Sequence, residues 1–146
     1  ELPKESDQFV GIDKDVKRIL ADAYAKKVAL DYCAQEWVYV DLEKVEKQLA
    51  VCEKALLDFM DSKRRAFPRF YFVAQNDLLD ILSNGNNPSK IMVHMPKIFQ
   101  AIDTLELQDR GEERPYAVGI HASVGKEFVD YDEPLKLERK VENYLQ

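Results

Sequence analysis

Apolar residues recur at three- and four-residue steps through the first half of the chain, and at steps of two only near its end. Ile12, Val16, Ile19, Leu20 and Ala23 set the helical rhythm, with Lys14, Lys17 and Arg18 between them. Tyr24, Val28 and Tyr32 extend it, so the spacing predicts a helix over residues 12–35. Trp37-Val38-Tyr39-Val40 interrupts the pattern with β-branched and aromatic residues and predicts a connection or a short extended piece. Asp41 then stands as the N-cap of a second helix. In it Leu42, Val45, Leu49, Cys52, Leu56 and Phe59 alternate steps of three and four, a narrow seam suited to lengthwise packing on another helix. Lys63, Arg64 and Arg65 fall in the last turn, where cations complement the carboxyl end of the helix dipole.

The second half changes period. Pro68 stops the helix, because the residue before a proline is pushed out of the α region. Phe70-Tyr71-Phe72-Val73 is short and β-prone and predicts a strand, with Phe59, Phe67, Phe70 and Phe72 packing on Leu78, Leu79 and Leu82. Asn76 reads as the cap of a helix over 77–83, which ends at Asn84-Gly85, residues that tolerate the left-handed conformation. Asn87-Pro88 restarts a helix whose apolar side is Ile91, Met95, Ile98, Phe99 and Ile102, and Pro96 predicts a kink or two short helices. A weak strand over 104–107 and a polar loop over 108–114 follow. Residues 115–122 alternate, placing Tyr116, Val118 and Ile120 on one face. A turn at Ser123-Val124-Gly125-Lys126 returns the chain as a partner strand over 127–131, and 141–146 reads as the start of a helix. The expected fold is mainly α, with a small antiparallel β-hairpin or sheet in the C-terminal half. The expected division is a helical segment, 1–66, and a mixed segment of helices and hairpin, 67–146.

Charge and chemistry narrow the function. The chain has 146 residues, is 46% hydrophobic and carries a net charge of -6, which argues against a dedicated nucleic-acid binder. The basic and aromatic run over 63–73 still admits a local nucleic-acid-binding module as an alternative. Arg69-Phe70-Tyr71-Phe72-Val73, however, lacks the small residues that leave room for bases on an RNA-stacking strand. Gly119 to Lys126 imitates a phosphate loop but has five residues between its glycines, and Glu127 follows the lysine where Ser or Thr is needed. His94 and His121 have no second ligand at metal spacing and read as satisfied structural or surface histidines. A hydrolase built on either has no supporting nucleophile signature. Cys33 and Cys52 read as buried, reduced thiols, as in an intracellular compartment. No catalytic, cofactor or metal residue is expected. The chain begins Glu1-Leu2-Pro3 and closes inside a helical pattern, so both ends read as cut from a longer polypeptide.

One block carries a resemblance. Lys63-Arg64, then Phe67-Pro68-Arg69-Phe70-Tyr71-Phe72, then Asp77-Leu78-Leu79-Asp80-Ile81-Leu82-Ser83 resembles the linker region of dynein heavy chains. That family runs from a helix ending in LxxKR through FPRFYF to a short helix of the DLLEILS type. Asn87-Pro88, His94, Lys97 and Phe99 are similar to the family's following NP, HLxK and F, and Val141-Glu142-Asn143-Tyr144-Leu145 to its VExWL ending. The likeness covers most of residues 42–146 and, more loosely, 9–20. It departs at Val93, where the family often has proline, at the turn 123–127, and at Tyr144 in place of tryptophan. The wording around 84–88 and 92–95 is similar to an axonemal outer-arm heavy chain.

The resemblance implies a force-transmitting, non-catalytic lever lying across a ring of AAA+ ATPase modules. Lys63, Arg64, Phe67, Pro68, Arg69, Phe70, Tyr71, Phe72, Leu78 and Leu79 would be its structural signature. It implies ATP and magnesium in the parent ring rather than in this segment. It also implies the ring and other linker subdomains as partners, with microtubules and other dynein subunits reached through the parent chain, no nucleic acid or membrane, and a place in the cytoskeleton of the cilium or flagellum axoneme or in the cytoplasm.

Overall fold

A computed structural model describes residues 2–146, and the chain divides into two compact units, Glu1–Phe59 and Met60–Gln146. Helix α1 (Pro3–Lys26) starts earlier than the sequence predicts, with Pro3 in its first turn, where a missing N–H costs nothing. It also stops earlier, because Lys27 takes a left-handed conformation (φ 60°) and donates its N–H back to Ala23 O. The expected single helix over 12–35 is therefore two, α1 and the short α2 (Ala29–Cys33).

Helix α3 (Glu36–Ala66) absorbs the stretch expected to be extended. Trp37-Val38-Tyr39-Val40 is helical because propensity differences amount to only tenths of a kcal/mol per residue and burial outweighs them. Val38 and Val45 lie one heptad apart, and both are buried. Asp41 is consequently not a cap. It sits inside α3 and accepts a hydrogen bond from Arg18 Nη2 at 2.6 Å. That contact and the one from Cys52 Sγ to Glu5 O set α1 and α3 antiparallel. Their core is Ile12, Ile19, Tyr32, Val38 and Val45, flanked by Val16, Ala23 and Cys52, and the Tyr32 hydroxyl donates to Ile19 O at 2.9 Å. The seam is narrower than its sequence, since Leu42 and Leu49 are exposed. Of the two cysteines expected to be buried, Cys33 is exposed and Cys52 half-buried.

In the second unit, Pro68–Phe72 forms a 3₁₀ turn and not a strand. The apolar period explains the correction. Phe67, Phe70 and Val73 are spaced by three and all buried, and a 3₁₀ turn stacks every third residue on one side. A strand would instead put Phe70 and Phe72 on one face, yet Phe72 is 84% exposed. Helix α4 (Gln75–Ser83) begins before the expected cap, so Asn76 lies within it and Ala74 takes the capping position without a side-chain bond. Asn84 ends α4 at φ −103°, outside the left-handed region, and its side-chain amide donates to Asp80 O and Asp80 Oδ1.

Pro88 opens helix α5 (Pro88–Ile91), a 3₁₀ turn spans Met92–His94, and helix α6 (Met95–Ile98) carries Pro96 in its first turn. This is the broken helix that the proline predicts. Strands β1 (Ile102–Gln108), β2 (Tyr116–Ala122) and β3 (Phe128–Lys136) form an antiparallel sheet in that order. Gly125 and Lys126, at φ 81° and 54°, make the β2–β3 turn. The buried face of β2 belongs to Ala117 and Gly119, whereas Tyr116, Val118 and Ile120 are half-buried. Helix α7 (Val141–Tyr144) closes the chain, which is mainly α with a small sheet in the C-terminal half, as the pattern predicts.

Candidate functional site

The signature block divides into an inward and an outward part. Met60 and Phe70 are fully buried, and Phe67 meets Phe70 edge to face. The Phe67 N–H donates to Lys63 O at 2.9 Å and the Phe70 N–H to Phe67 O at 3.0 Å, so hydrogen bonds carry the end of α3 into the 3₁₀ turn. Leu78 is fully buried in α4 and Leu79 is half-buried. Pro68 supplies the fixed φ that starts the turn.

The cations are not one patch. Arg64 Nη1 reaches back to Asp61 Oδ1 at 3.0 Å. Lys63 turns inward and donates to Glu142 Oε1 at 2.6 Å, with the two side chains only 11% and 8% exposed. The sequence marks Lys63, three residues after Met60 on the same side of the helix end, but not Glu142 as its partner. Arg69 lies over the Phe99 ring at 4.8 Å, a cation–π contact.

Around that pair, Arg114 closes the chain's last segment. Its guanidinium donates to Leu137 O, Arg139 O and Asn86 Oδ1. The Tyr144 hydroxyl donates to Gly85 O at 3.4 Å. Burial, helped by Glu142 and opposed by Arg114, pushes the Tyr144 phenol up to about 12.

The outward part is Arg69, Tyr71 and Phe72. Phe72 is 84% and Tyr71 59% exposed, beside a depression of about 350 Å³ lined by Arg69, Phe72, Pro96, Lys97, Ile98 and Gln100. The aromatic run is a turn that shares out its rings between core and surface, so it offers no flat stacking strand to RNA.

The histidines are held by carboxylates. His94, buried, has Nε2 at 2.7 Å from Asp80 Oδ2 and Nδ1 at 3.7 Å from Asp77 Oδ1. Lys97 donates to Asp77 Oδ1 at 2.7 Å, and that hydrogen bond holds the Asp77 carboxyl below its usual range. His121 Nε2 lies 2.8 Å from Glu106 Oε2. Among the described residues no group of three or more His, Cys, Asp or Glu side chains is arranged to hold a metal ion. Among them, too, no helix is long and apolar enough to cross a membrane.

Comparison with known proteins bears out the resemblance to dynein heavy chains. A family model described as dynein heavy chain, N-terminal region 2, matches residues 1–146. The chain is 48% identical over 148 residues to the dynein alpha chain of the flagellar outer arm of Chlamydomonas reinhardtii. It is 39% identical over 147 residues to a ciliary dynein beta chain of Tripneustes gratilla, and 35% identical over 145 residues to cytoplasmic dynein 2 heavy chain 1 of Caenorhabditis elegans. Each match covers 99% of this chain and 3% of the relative, so the chain spans a small fraction of their length. The chain belongs to the dynein heavy chain family, in its N-terminal region 2.

Proposed function

We propose that this chain is a force-transmitting linker segment of a dynein heavy chain, itself without catalytic residues. Residues 1–66 form its helical segment and 67–146 its mixed segment. The observation that carries the proposal is the family match over residues 1–146, joined to a signature block that folds as a buried joint. Lys63, Phe67, Phe70 and Leu78 hold the joint from inside, and Pro68 starts its turn. Arg64, Arg69, Tyr71, Phe72 and Leu79 complete the signature at its surface and edge. Close-packed side chains transmit displacement because they have low compressibility, which is what a lever requires.

The parent chain is then an ATP-driven microtubule motor. ATP and magnesium are bound in its AAA+ ring, outside this segment, and the ring and the other linker subdomains are the segment's partners. Microtubules and other dynein subunits are engaged through the parent chain. The axonemal, ciliary and flagellar names of the similar chains support a place in the axoneme of a cilium or flagellum. Deleting residues 63–131 from the full motor tests the reading. Microtubule gliding should be abolished or badly slowed while the ring still binds ATP, and normal gliding would refute the proposal.

A further inference from the structure

We infer that Lys63 and Glu142 form a positioning latch that fixes the segment after the sheet to the end of α3, so that a displacement of one is passed to the other. The inference rests on the linker function proposed above. It starts from α7, which has four residues and no side-chain cap. One helical turn does not hold its own shape in water. Val141, Glu142, Tyr144 and Leu145 are nevertheless all buried, so the place of α7 is imposed by its neighbours.

Two regions hold it. The turn after α4 receives the Tyr144 hydroxyl at Gly85 O and lies close to the Val141 side chain. The last turn of α3 supplies Lys63, 79 residues away in sequence from Glu142. Lys63 is well placed to be rigid. It lies between fully buried Met60 and buried Phe67, and its carbonyl accepts the Phe67 N–H. Its neighbour Arg64 makes the opposite choice and pairs locally with Asp61 on the same helix.

A buried ion pair contributes little net stability, because desolvation of both charges offsets their attraction, and an apolar pair of the same volume often does as well. The two differ in tolerance. Displaced apolar side chains give up their contacts by degrees, whereas drawing the ammonium away from a carboxylate 2.6 Å off, both nearly buried, leaves two buried charges unpaired. The pair therefore acts through position more than through stability.

The test uses the full-length motor carrying Lys63→Met with Glu142→Leu, read by hydrogen exchange, ATP turnover and gliding velocity. Exchange over 141–146 should rise about tenfold while the sheet over 102–136 stays protected. ATP turnover should persist, and distance moved per ATP should fall about threefold or more. The exchanged pair, Lys63→Glu with Glu142→Lys, should restore protection of 141–146. Unchanged exchange over 141–146 in the apolar variant would overturn the latch, and faster exchange with unchanged movement per ATP would overturn its transmitting role. Failure of both variants to fold would make the pair a stability element and overturn the inference as well. The exchange readout does not depend on the linker reading, whose own failure would appear as normal gliding after the 63–131 deletion.

Discussion

Phe67 and Phe70 meet edge to face, with ring centroids 4.9 Å apart and planes at 84°. Phe70 is completely buried, and the contact joins the residue that follows α3 to the middle of the 3₁₀ turn. Phe70→Ala should cost about 3–5 kcal/mol in urea unfolding, from lost transfer energy and the cavity left behind. Phe72→Ala, two residues on and 84% exposed, should cost less than about 0.5 kcal/mol. Equal losses at the two positions would show that the turn does not sort its rings as described.

Tyr144 sets a limit at high pH. Its folded pKa, raised to about 12 by burial, lies above the ordinary value of 10.0. The folded state therefore favours the neutral phenol. This contribution is complete below pH 10 and is lost as pH rises from 10 toward 12. Unfolding measured across that window should show a steeper loss in the wild type than in Tyr144→Phe. Parallel curves would mean that the phenol titrates as it does in the unfolded chain.

Gly119 is required by contact. A Cβ there would lie 2.5 Å from the Phe128 ring and 2.7 Å from Val129 O. Gly119→Ala should destabilise the sheet by about 1–3 kcal/mol, as overpacking does. Phe128→Leu in the same chain should recover part of the loss, because it removes the ring but not the carbonyl. Thermal melts of the two single variants and the double variant give the comparison.

Asp77 works at the acid end. Its carboxyl is held below the ordinary 3.8 by the hydrogen bond from Lys97. A depressed folded pKa gives stability that is present above the unfolded value and lost as pH falls through the folded one. Lys97→Met should raise the Asp77 midpoint in a carboxyl NMR titration. A midpoint that stays where it was would remove Lys97 as the cause.

The helical course of the first half, the broken α5–α6 region, the turn at Gly125 and the hairpin it closes were legible because each rests on local chemistry: period, proline and positive φ. The misses have one physical form. Trp37 to Val40 and Phe70 to Val73 are β-prone by composition, and in both places burial at helical spacing decided otherwise. Asp41 and Asn76 are good capping types with better-placed alternatives, one a salt bridge to Arg18 and the other a helix that starts two residues earlier. The run over 63–79 stood out in the sequence as a block, but not its division between core and surface. Glu142 was not visible at all as the partner of Lys63, since nothing local links residues 79 apart.

Because α3 runs unbroken for 31 residues, its length is constrained in phase as well as in distance. Each residue advances the helix by about 1.5 Å and turns it by about 100°. One residue inserted between Val38 and Val45 would swing Val45 about a quarter-turn away from the buried face that carries Val38. Seven inserted residues, about two full turns, would nearly restore it. Along this stretch a long insertion is therefore gentler than a short one, and sequence length can vary only in steps that keep Val38 and Val45 on one face.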